Sequence, residues 1–413
     1  MKIVIIGGGA AGMMAACTAA ERGADVTLIE RNSQLGIKVN ITGKGRCNVT
    51  NDSEPEGLIK NTLTNGRFLY SAFAALNAQD TMAFFERIGV PLKVERGKRV
   101  FPVSDHARDI TGALKTHLHR LGVTVLQHRV KAIITTNGAV SGVSLQDGSV
   151  IGADRVILAT GGRSYPRTGS EGDGYHMAQA LGHTVTALRP SLVPLLTEEA
   201  TPAQMEGLSL KNVTLTIKKE GKKIFSDFGE MVFTAKGISG PLVLSASAHL
   251  GGKKHTYPYQ AFIDLKPALD AETLDKRLLR DFEENINRDF SNALSQLLPA
   301  KMIPVVVELC GISGRQKVNT ITRAQREHLC SLLKAFPFTV VATGSWDEAV
   351  VTAGGISVKE IDPKTMASKL VPGLYFAGEV MDVDAYTGGF NLQIAWSTGY
   401  CAGQAAAEGD ELV

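Results

Sequence analysis

The sequence predicts an α/β fold built on a parallel sheet, and three features near its start support this. Lys2 to Ile6 is a short apolar strand that runs into a glycine-rich turn. A helix of small residues is expected from about Ala10 to Arg22, with Gly23 as its stop. A second apolar strand follows from Asp25 to Glu30. A strand, turn, helix and strand in this order are typical of a parallel βαβ unit.

The turn carries Gly7, Gly9 and Gly12, which have the spacing Gly-x-Gly-x-x-Gly. The first glycine permits the tight turn, the second lets a pyrophosphate approach the backbone, and the third lets helix and strand pack closely. Glu30 ends the second strand 18 residues after Gly12, where a carboxylate accepts hydrogen bonds from ribose hydroxyls. Because an acid here disfavours a 2′-phosphate, the pattern predicts a Rossmann-like site for FAD or NAD rather than NADP.

Two later segments favour FAD over NAD. Val156 to Gly162 (VILATGG) is an apolar strand that ends in Ala-Thr-Gly-Gly, and Leu374 to Asp382 (LYFAGEVMD) is a strand that ends in Gly-Glu. Both patterns occur in two-nucleotide flavoproteins, in which the acid after the glycine, here Glu379, binds the ribityl chain. Residues 387–393 (TGGFNLQ) then open a helix. The N-terminus of such a helix would stabilise negative charge on a reduced flavin.

The middle of the chain predicts an insertion into this nucleotide-binding domain. Segments beyond Arg189-Pro190 alternate between apolar and polar residues, with a turn at Glu220-Gly221, as expected of antiparallel strands. From Asp270 to Leu298, apolar residues recur every three or four positions, which predicts helix. The predicted organisation is a discontinuous FAD-binding domain (residues 1–189 and 346–413), an inserted antiparallel β-rich domain (190–268 and 335–345) and a helical subdomain (269–334).

Composition favours a globular cytoplasmic protein. Of the 413 residues, 44% are hydrophobic and 21% are charged, which argues against a disordered chain. The five cysteines are odd in number and form no Cys-x-x-Cys, so neither a disulfide framework nor a metal site is expected. No segment approaches the roughly 18 apolar residues of a membrane span. The net charge of +3 is too small to imply a nucleic-acid partner by itself.

The chain resembles a family of bacterial flavoproteins known as aminoacetone-oxidase-like FAD-binding enzymes or NAD(P)/FAD-dependent oxidoreductases. The resemblance covers essentially the full length, and its most specific motif is Thr42 to Asn51 (TGKGRCNVTN). Residues 159–175, 233–241, 352–369 and 387–393 carry the rest. The resemblance implies an FAD domain, an inserted β-rich domain and a small helical cap. It also implies that residues 43–51 lie against the FAD.

The residues expected to contact FAD come from the fingerprint, from the Thr42 to Asn51 motif, from the later strand ends and from their neighbours. They are Gly7, Gly9, Ala11, Gly12, Glu30, Arg31, Lys38, Gly43, Gly45, Arg46, Cys47, Asn48, Val130, Thr160, Gly161, Gly378, Glu379, Gly389, Asn391 and Leu392. Lys44 and Arg46 can neutralise a diphosphate, while the glycines beside them permit close backbone approach. A solvated basic loop is the alternative interpretation of this motif.

These features predict an FAD-dependent oxidoreductase that acts on a small molecule. Because only one dinucleotide fingerprint lies on a strand–helix junction, NAD(P)H is expected to dock transiently and reduce the flavin. Hydride would then pass to an activated C=C or C=N bond. The reaction also needs a proton donor. Cys47 is the first candidate, since Lys44 and Arg46 would lower its pKa, and Tyr386 is the second. A buried packing thiol is the alternative for Cys47.

Other functions remain open at this point. Members of the family that the chain resembles have been linked to amine oxidation, to reduction of a conjugated steroid enone and to dihydrouridine formation in ribosomal RNA. An amine oxidase that uses O2, a ribosomal RNA dihydrouridine synthase and a non-catalytic flavin-binding protein are therefore alternatives. Between residues 200 and 266 there are nine lysines and five acids, a net charge of +4. The basic positions near the predicted hairpin turn are Lys218, Lys219, Lys222, Lys223, Lys253, Lys254 and His255. They either bind RNA phosphates or form a solvated face.

Overall fold

A computed structural model describes residues 1–251 and 256–408. Its strands, in chain order, are β1 (Lys2–Ile6), β2 (Asp25–Glu30), β3 (Thr50–Asn51), β4 (Thr62–Thr64), β5 (Leu92–Glu95), β6 (Arg99–Pro102), β7 (Thr124–Gln127), β8 (Val130–Thr136), β9 (Ala139–Leu145), β10 (Val150–Gly152), β11 (Arg155–Leu158), β12 (Arg189–Ser191), β13 (Leu195–Thr197), β14 (Ser209–Lys219), β15 (Lys222–Thr234), β16 (Gly237–Ser239), β17 (Tyr259–Asp264), β18 (Phe336–Thr343), β19 (Val351–Ala353), β20 (Leu374–Phe376) and β21 (Asp384–Ala385).

Its α-helices, in chain order, are α1 (Ala10–Glu21), α2 (Ile37–Ile41), α3 (Pro55–Lys60), α4 (Tyr70–Ala75), α5 (Ala78–Arg87), α6 (Ala107–Arg120), α7 (Asp173–Ala180), α8 (Thr201–Gln204), α9 (Pro241–Ser247), α10 (Ala271–Glu284), α11 (Phe290–Ala293), α12 (Ile303–Cys310), α13 (Arg323–Lys334) and α14 (Phe390–Glu408). Contacts group the chain into two compact units, Met1–Ser191 with the residues from Trp346 onward, and Leu192–Ser345. The sequence places these two boundaries after residues 189 and 345.

The first unit is built on a five-stranded sheet in the order β20-β11-β1-β2-β7. All four strand pairs are parallel, and β1 lies in the middle, with Ile5 opposite both Leu28 and Ile157. Strands buried on both faces read as continuous apolar runs rather than as alternating ones, which explains the sequences of β1 and β11. The parallel βαβ opening and the Rossmann-like fold predicted from the sequence are confirmed.

Helices α1 and α14 pack against each other at glycine positions. A Cβ atom on Gly399 would overlap the carbonyl oxygen of Ala11, and one on Gly403 would overlap that of Ala15. Only glycine allows two helix backbones to come this close. Trp396 of α14 is fully buried and donates a hydrogen bond of 2.9 Å from its indole N–H to a backbone carbonyl oxygen just before β3. These contacts fix the direction of α14 relative to α1.

The second unit contains a closed antiparallel barrel with the order β13-β16-β15-β14-β17-β18, together with helices α10 to α13. Its core includes the buried rings of Phe233, Tyr259 and Phe336. The hairpin between β14 and β15 turns at Glu220 and Gly221, whose φ angles are +49° and +77°. Two positive φ values are what a tight two-residue hairpin turn requires, so the turn predicted there is confirmed, as is the inserted antiparallel β domain.

The helical part of the second unit differs from the single helical stretch expected between Asp270 and Leu298. α10 ends at Glu284, and α11 begins only at Phe290. Asn285 follows α10 and donates a hydrogen bond of 2.7 Å from its side-chain amide to the backbone oxygen of Asp281. Asparagine competes for backbone groups in this way and so favours helix ends. The stretch is therefore interrupted after Glu284.

Candidate functional site

The glycines of the fingerprint meet different constraints in the turn between β1 and α1. Gly7 has a φ of +105°, and a Cβ atom there would collide with the carbonyl group of Ala159. A Cβ atom on Gly12 would overlap the carbonyl oxygen of Gly7. By contrast, a Cβ atom on Gly9 would meet no protein atom within 4 Å, and Gly9 lines a large cavity. The first and third glycines are thus needed for packing, and the second keeps the cavity wall clear.

The first turn of α1 is suited to bind an anion. No side chain caps this helix, and its first turn contains no acid. The first N–H groups of a helix lack intrahelical partners and lie at the positive end of its dipole. Because Gly9 and Ala11 both line the cavity, these donors are placed for a diphosphate.

Glu30 lies at the carboxyl end of β2 and is held by three donors. Its Oε2 accepts a hydrogen bond of 2.7 Å from the backbone N–H of Gly8, and its Oε1 accepts two of 2.8 Å from the backbone and side-chain N–H groups of Asn32. Glu30 is 9% exposed and lines the cavity. A carboxylate fixed in this position beside the glycine turn can accept hydrogen bonds from a ribose.

The cavity brings together most of the residues predicted from separate parts of the sequence. It lies within the first unit, and the predicted residues that line it are Gly7, Gly9, Ala11, Glu30, Arg31, Lys38, Val130, Thr160, Gly161, Gly378, Glu379, Asn391 and Leu392. They come from the ends of β1, β2, β11 and β20, the start of β8, helix α2 and the first turns of α1 and α14. This is the edge of a parallel sheet where nucleotides bind.

One unsatisfied polar group belongs to a residue of the cavity wall and fits a dinucleotide site. The hydroxyl oxygen of Thr160 is buried and has no hydrogen-bond partner in the described part of the chain, and Thr160 lines the cavity. A buried polar atom without a partner costs stability unless a ligand or water satisfies it. With the clear wall at Gly9 and the carboxylate of Glu30, this donor set fits FAD.

A ring of hydrogen bonds joins Lys38 and Glu379, which line the cavity, to the buried side chain of Ser164. The ammonium group of Lys38 donates to Ser164 Oγ at 2.6 Å and to Glu379 Oε2 at 2.7 Å, and Ser164 Oγ donates to Glu379 Oε1 at 2.8 Å. The backbone N–H of Thr352 donates to Glu379 Oε1 at 2.8 Å. We call these three side chains the Lys38–Ser164–Glu379 ring.

The ring keeps Glu379 ionised. Burial raises the pKa of this carboxyl group, but the charge and hydrogen bond of Lys38 and the hydrogen bonds from Thr352 and Ser164 outweigh burial. The net result is a pKa below the ordinary value. Glu379 is therefore a carboxylate at neutral pH, paired with the ammonium group of Lys38.

The other predicted contact residues do not line the cavity. They are Gly12, Gly43, Gly45, Arg46, Cys47, Asn48 and Gly389. Gly12 lies behind the turn, and Gly43 and Gly45 are exposed. A Cβ atom on Gly389 would overlap the backbone carbonyl of Thr50, so this glycine serves packing. The side-chain oxygen of Asn48 is buried without a hydrogen-bond partner in the described residues.

Arg46 does not face the cavity, contrary to the expectation that it neutralises a diphosphate. Its guanidinium group pairs with Glu95 and Asp105, with a hydrogen bond of 2.8 Å from Nε to Asp105 Oδ1. It also lies over the ring of Phe101, 4.1 Å from the centroid. Arginine prefers such bidentate and stacked partners. The structure thus gives Arg46 a place in a surface ion cluster.

The predicted lowering of the Cys47 pKa is wrong. The side chain is 0% exposed, and burial raises the pKa of its thiol to about 12, while a hydrogen bond with Thr42 lowers it only in part. Burial disfavours a charged thiolate, and the guanidinium group of Arg46 is engaged by Glu95 and Asp105. The alternative given above, a buried packing thiol, describes this residue.

Tyr386, the second candidate proton donor, is partly buried and does not line the cavity. It lies in a turn that Asn391 organises. The side chain of Asn391 accepts a hydrogen bond of 2.9 Å from the backbone N–H of Ala385 and donates to the backbone oxygens of Ala385 and Tyr386 at 2.7 and 3.1 Å. Asn391 therefore fixes the segment before α14 as well as lining the cavity.

Two important residues of the site, Ser164 and Thr352, were not predicted. Both lie within segments that carry the family resemblance, but neither a lone serine nor a lone threonine has a distinctive pattern. Gly162 was the one indication in the sequence that polar groups meet at this point. A Cβ atom there would lie 2.7 Å from Glu379 Oε1 and would also overlap Thr352. The second glycine of Ala-Thr-Gly-Gly thus leaves room for the ring.

The basic segment of the second unit is described only in part. Lys253, Lys254 and His255 lie outside the described residues. Within residues 1–251 and 256–408, no group of three or more His, Cys, Asp or Glu side chains could hold a metal ion. None of the helices in this part of the chain combines the length and the apolar character needed to cross a membrane.

The fold and cavity define the class of protein as an FAD-binding oxidoreductase, and comparison with known proteins identifies its family. The sequence profile described as "HI0933-like protein Rossmann domain" matches residues 1–405. The chain therefore belongs to the HI0933-like family of Rossmann FAD-binding proteins.

Similar proteins of the family match over almost their whole length. The chain is 34% identical to the 3-dehydro-bile acid delta(4,6)-reductase of Clostridium scindens, over 98% of this chain and 99% of that protein. It is 30% identical to the ribosomal RNA dihydrouridine synthase of Escherichia coli, over 97% of this chain and 96% of that protein. The solved structure of 3-ketosteroid delta1-dehydrogenase from Sterolibacterium denitrificans superposes with a TM-score of 0.52 and 12% identity, over 98% of this chain and 99% of that one. This last likeness shows a shared fold.

Proposed function

We propose that this protein is an FAD-dependent reductase that saturates a carbon–carbon double bond conjugated with a carbonyl group in a small molecule, with NAD(P)H as the reductant. The observation that carries the proposal is the 34% identity, over 98% of the chain, to a protein named as a delta(4,6)-reductase. When bound, FAD supplies the hydride chemistry. The protein holds the cofactor, excludes water and balances charge.

The apolar lining of the cavity and the helix N-terminus in its wall support the assignment as a flavin-dependent reductase. Val351, Val383 and Leu392 line it with apolar surface, and a site that excludes water strengthens electrostatic interactions. The first turn of α14 lines it as well, through Asn391 and Leu392. The positive end of that helix dipole favours a cofactor that gains negative charge on reduction.

We propose that NAD(P)H binds only transiently, because the sequence has one dinucleotide fingerprint on a strand–helix junction and the cavity at that fingerprint fits FAD. All five cysteines are free and buried, which argues against electron transfer through a disulfide. A reductant that docks, transfers hydride and leaves requires neither a second nucleotide domain nor a redox-active cysteine pair.

Reduction of a conjugated double bond also requires a proton at the carbon next to the carbonyl group. Tyr386 is proposed as its source because it adjoins the segment that Asn391 fixes at the cavity. In Tyr386→Phe we expect flavin reduction by NAD(P)H to be unchanged and substrate reduction to slow. Cys47→Ala is the matched comparison, since it removes the buried thiol. If Cys47→Ala slows substrate reduction and Tyr386→Phe does not, this assignment is wrong.

The reductase proposal is tested by mixing the purified holoprotein anaerobically with NADH or NADPH and following flavin absorbance. We expect rapid bleaching with at least one nicotinamide. Addition of a conjugated dienone should then restore the absorbance and give a product two mass units heavier. Absence of bleaching by either nicotinamide, together with bleaching by an amine, would identify an oxidase instead.

Ribosomal RNA is a second candidate substrate because of the basic hairpin β14–β15 in the second unit. The ammonium groups of Lys218 and Lys219 lie 5.2 Å and 5.7 Å from the ring centroids of Phe262 and Tyr259. Lys222 and Lys223 at the tip are exposed. A rigid basic hairpin can hold phosphates, and one relative is named as a ribosomal RNA dihydrouridine synthase.

RNA binding by this hairpin predicts a steep fall of affinity with salt. The variant Lys222→Gln/Lys223→Gln should weaken the binding of ribosomal RNA and reduce its salt dependence. Lys131 is an exposed lysine of β8, and the control variant Lys131→Gln should have neither effect. Nucleoside mass spectrometry of RNA incubated with holoprotein and NAD(P)H then reports dihydrouridine. Binding that is insensitive to salt and to the double variant would exclude this hairpin as an RNA site.

A further inference from the structure

The Lys38–Ser164–Glu379 ring places one positive and one negative charge in the wall of the cofactor cavity. It joins three segments, namely α2, the turn after β11 and the end of β20, and the hydrogen bond from Thr352 adds β19. Each segment contributes one group, and no two groups belong to the same strand or helix. The ring therefore depends on the tertiary fold.

The ring is rigidly held. Ser164 is 0% exposed, and its backbone N–H donates a hydrogen bond of 3.2 Å to the hydroxyl group of Thr352. At position 162, where the residue is glycine, a side chain would not fit between Thr352 and Glu379. Because these neighbours are packed, neither Ser164 nor Glu379 can turn away without breaking several hydrogen bonds. Charges that are fixed and mostly buried act on a neighbouring group more strongly than charges in bulk water do.

Both charges remain accessible from the cavity. The side chains of Lys38 and Glu379 are 23% and 21% exposed, and both residues line the cavity. An ammonium group has three N–H donors, and Lys38 uses two of them within the ring. One donor and the positive charge are therefore left for a ligand.

The ring lies on the flavin side of the site. Glu30 marks the ribose of the adenosine half, and the first turn of α1 marks the diphosphate. Glu379 follows β20, which lies on the opposite side of β1 from β2 in the sheet order β20-β11-β1-β2-β7, and the glycine turn follows β1. In the order of an extended dinucleotide, the ring therefore comes after the diphosphate, next to the half that contains the flavin.

We propose that Lys38 and Glu379 act as an opposed charge pair that sets the reduction potential of the bound FAD. The ammonium group of Lys38 stabilises the negative charge that reduction adds, and the carboxylate of Glu379 opposes it. Ser164 is a positioning residue that holds the two charges in fixed places. This role rests on the FAD-binding part of the proposed function and does not depend on which substrate or nicotinamide is used.

Charge deletion at the two positions should shift the potential in opposite directions. Lys38→Met removes the positive charge and leaves a carboxylate beside the flavin, so the potential should fall. Glu379→Gln keeps an oxygen that accepts from Ser164 and Thr352 but leaves the ammonium group unopposed, so the potential should rise. At a fixed solution potential, we expect each substitution to change the ratio of oxidised to reduced flavin about tenfold. This corresponds to a shift of about 30 mV in the reduction potential of a two-electron couple.

The measurement is an anaerobic photoreduction of each holoprotein beside a reference dye, without nicotinamide or substrate. Failure of the reductase proposal would therefore leave this test intact. Lys131→Met and Glu86→Gln are matched controls, because both residues are exposed and lie outside the cavity lining. They should leave the potential unchanged.

A lowered potential in Lys38→Met together with a raised potential in Glu379→Gln supports the charge pair, and shifts with these two signs reversed overturn it. Shifts in the same direction, as a purely structural disturbance would give, overturn it, and so do unchanged potentials. If Lys38→Met does not retain FAD, Glu379→Gln decides alone, and an unchanged or lowered potential in that variant overturns the proposal.

Discussion

The backbone N–H of Gly8 donates a hydrogen bond of 2.7 Å to Oε2 of Glu30. This bond joins the glycine turn after β1 to the carboxyl end of β2 and fixes the position of the carboxylate. Oε1 is fixed separately by Asn32. The acid that would recognise the ribose is thus part of the turn that would receive the diphosphate.

Glu30→Ala should weaken FAD binding strongly. The substitution removes the ribose acceptor and leaves the N–H of Gly8 without its partner, and hydrogen bonds to charged groups contribute about 1.5–3 kcal/mol each. We expect the dissociation constant of FAD to rise by about tenfold or more. Fluorescence titration of the apoprotein with FAD measures the change. Glu86→Ala, an exposed glutamate on α5, is the control. Equal affinities for Glu30→Ala and wild type would remove Glu30 from the site.

Gly162→Ala should disrupt the ring without touching the fingerprint. The new methyl group would lie 2.7 Å from Glu379 Oε1 and would overlap Thr352, so one of these groups must move. We expect weaker FAD binding and a lower Tm. Gly112→Ala on α6 is the matched control, since a Cβ atom there meets nothing within 4 Å and alanine favours helix by roughly 1 kcal/mol. Gly112→Ala should raise the Tm. If Gly162→Ala binds FAD as wild type does, the geometry of the ring is wrong.

Arg46→Ala should lower thermal stability and leave FAD affinity unchanged. Arg46 pairs with Glu95 and Asp105 and covers Phe101. Its loss removes these hydrogen bonds and leaves Lys93 as the cation paired with both carboxylates. Differential scanning fluorimetry and FAD titration measure the two effects separately. Arg120→Ala, at an exposed position of α6, controls for loss of a surface arginine. Loss of FAD affinity with an unchanged Tm would restore the expectation that Arg46 binds the diphosphate.

The sequence was sufficient where a backbone pattern determines the site. The spacing of Gly7, Gly9 and Gly12 and the position of Glu30 follow from the geometry of a strand, a tight turn and a helix. The structure places Gly7, Gly9 and Glu30 at the cavity and Gly12 behind it. Such a pattern needs only local geometry, which the residue types reveal.

The sequence was insufficient where tertiary contacts decide. Arg46 and Cys47 share a motif with residues near the cofactor, yet Glu95, Asp105 and Phe101 engage the arginine, and burial determines the thiol. The Lys38–Ser164–Glu379 ring joins positions more than a hundred residues apart in the chain. No periodicity in one sequence reveals such contacts.

The protein should become less stable in weak acid because its native state resists protonation of His183. Its side chain is 0% exposed, with Nδ1 3.1 Å from Glu360 Oε2 and Nε2 2.9 Å from Ser368 Oγ. Burial lowers the pKa of His183, and Glu360 offsets this only in part. The unfolded chain, with an ordinary pKa of about 6.5, therefore binds a proton that the native state resists. The stability is full above that pKa and is lost as the pH falls below it.

Chemical denaturation between about pH 5 and pH 8 measures this dependence. In His183→Gln we expect the fall in the free energy of unfolding over this range to be smaller than in wild type. His119→Gln, an exposed position on α6, should leave the dependence as it is in wild type. Parallel curves for His183→Gln and wild type would show that His183 does not cause it.

The oxidative half-reaction tests the reductase assignment most directly. The holoprotein is photoreduced with EDTA as the sacrificial electron donor, in the absence of nicotinamide and oxygen. It is then mixed with a conjugated dienone while flavin absorbance is recorded. We predict that the absorbance returns, with one product molecule, two mass units heavier, for each flavin, and that a saturated ketone has no such effect. A flavin that stays reduced with the dienone and with uridine-containing RNA, and is reoxidised only by O2, would contradict it.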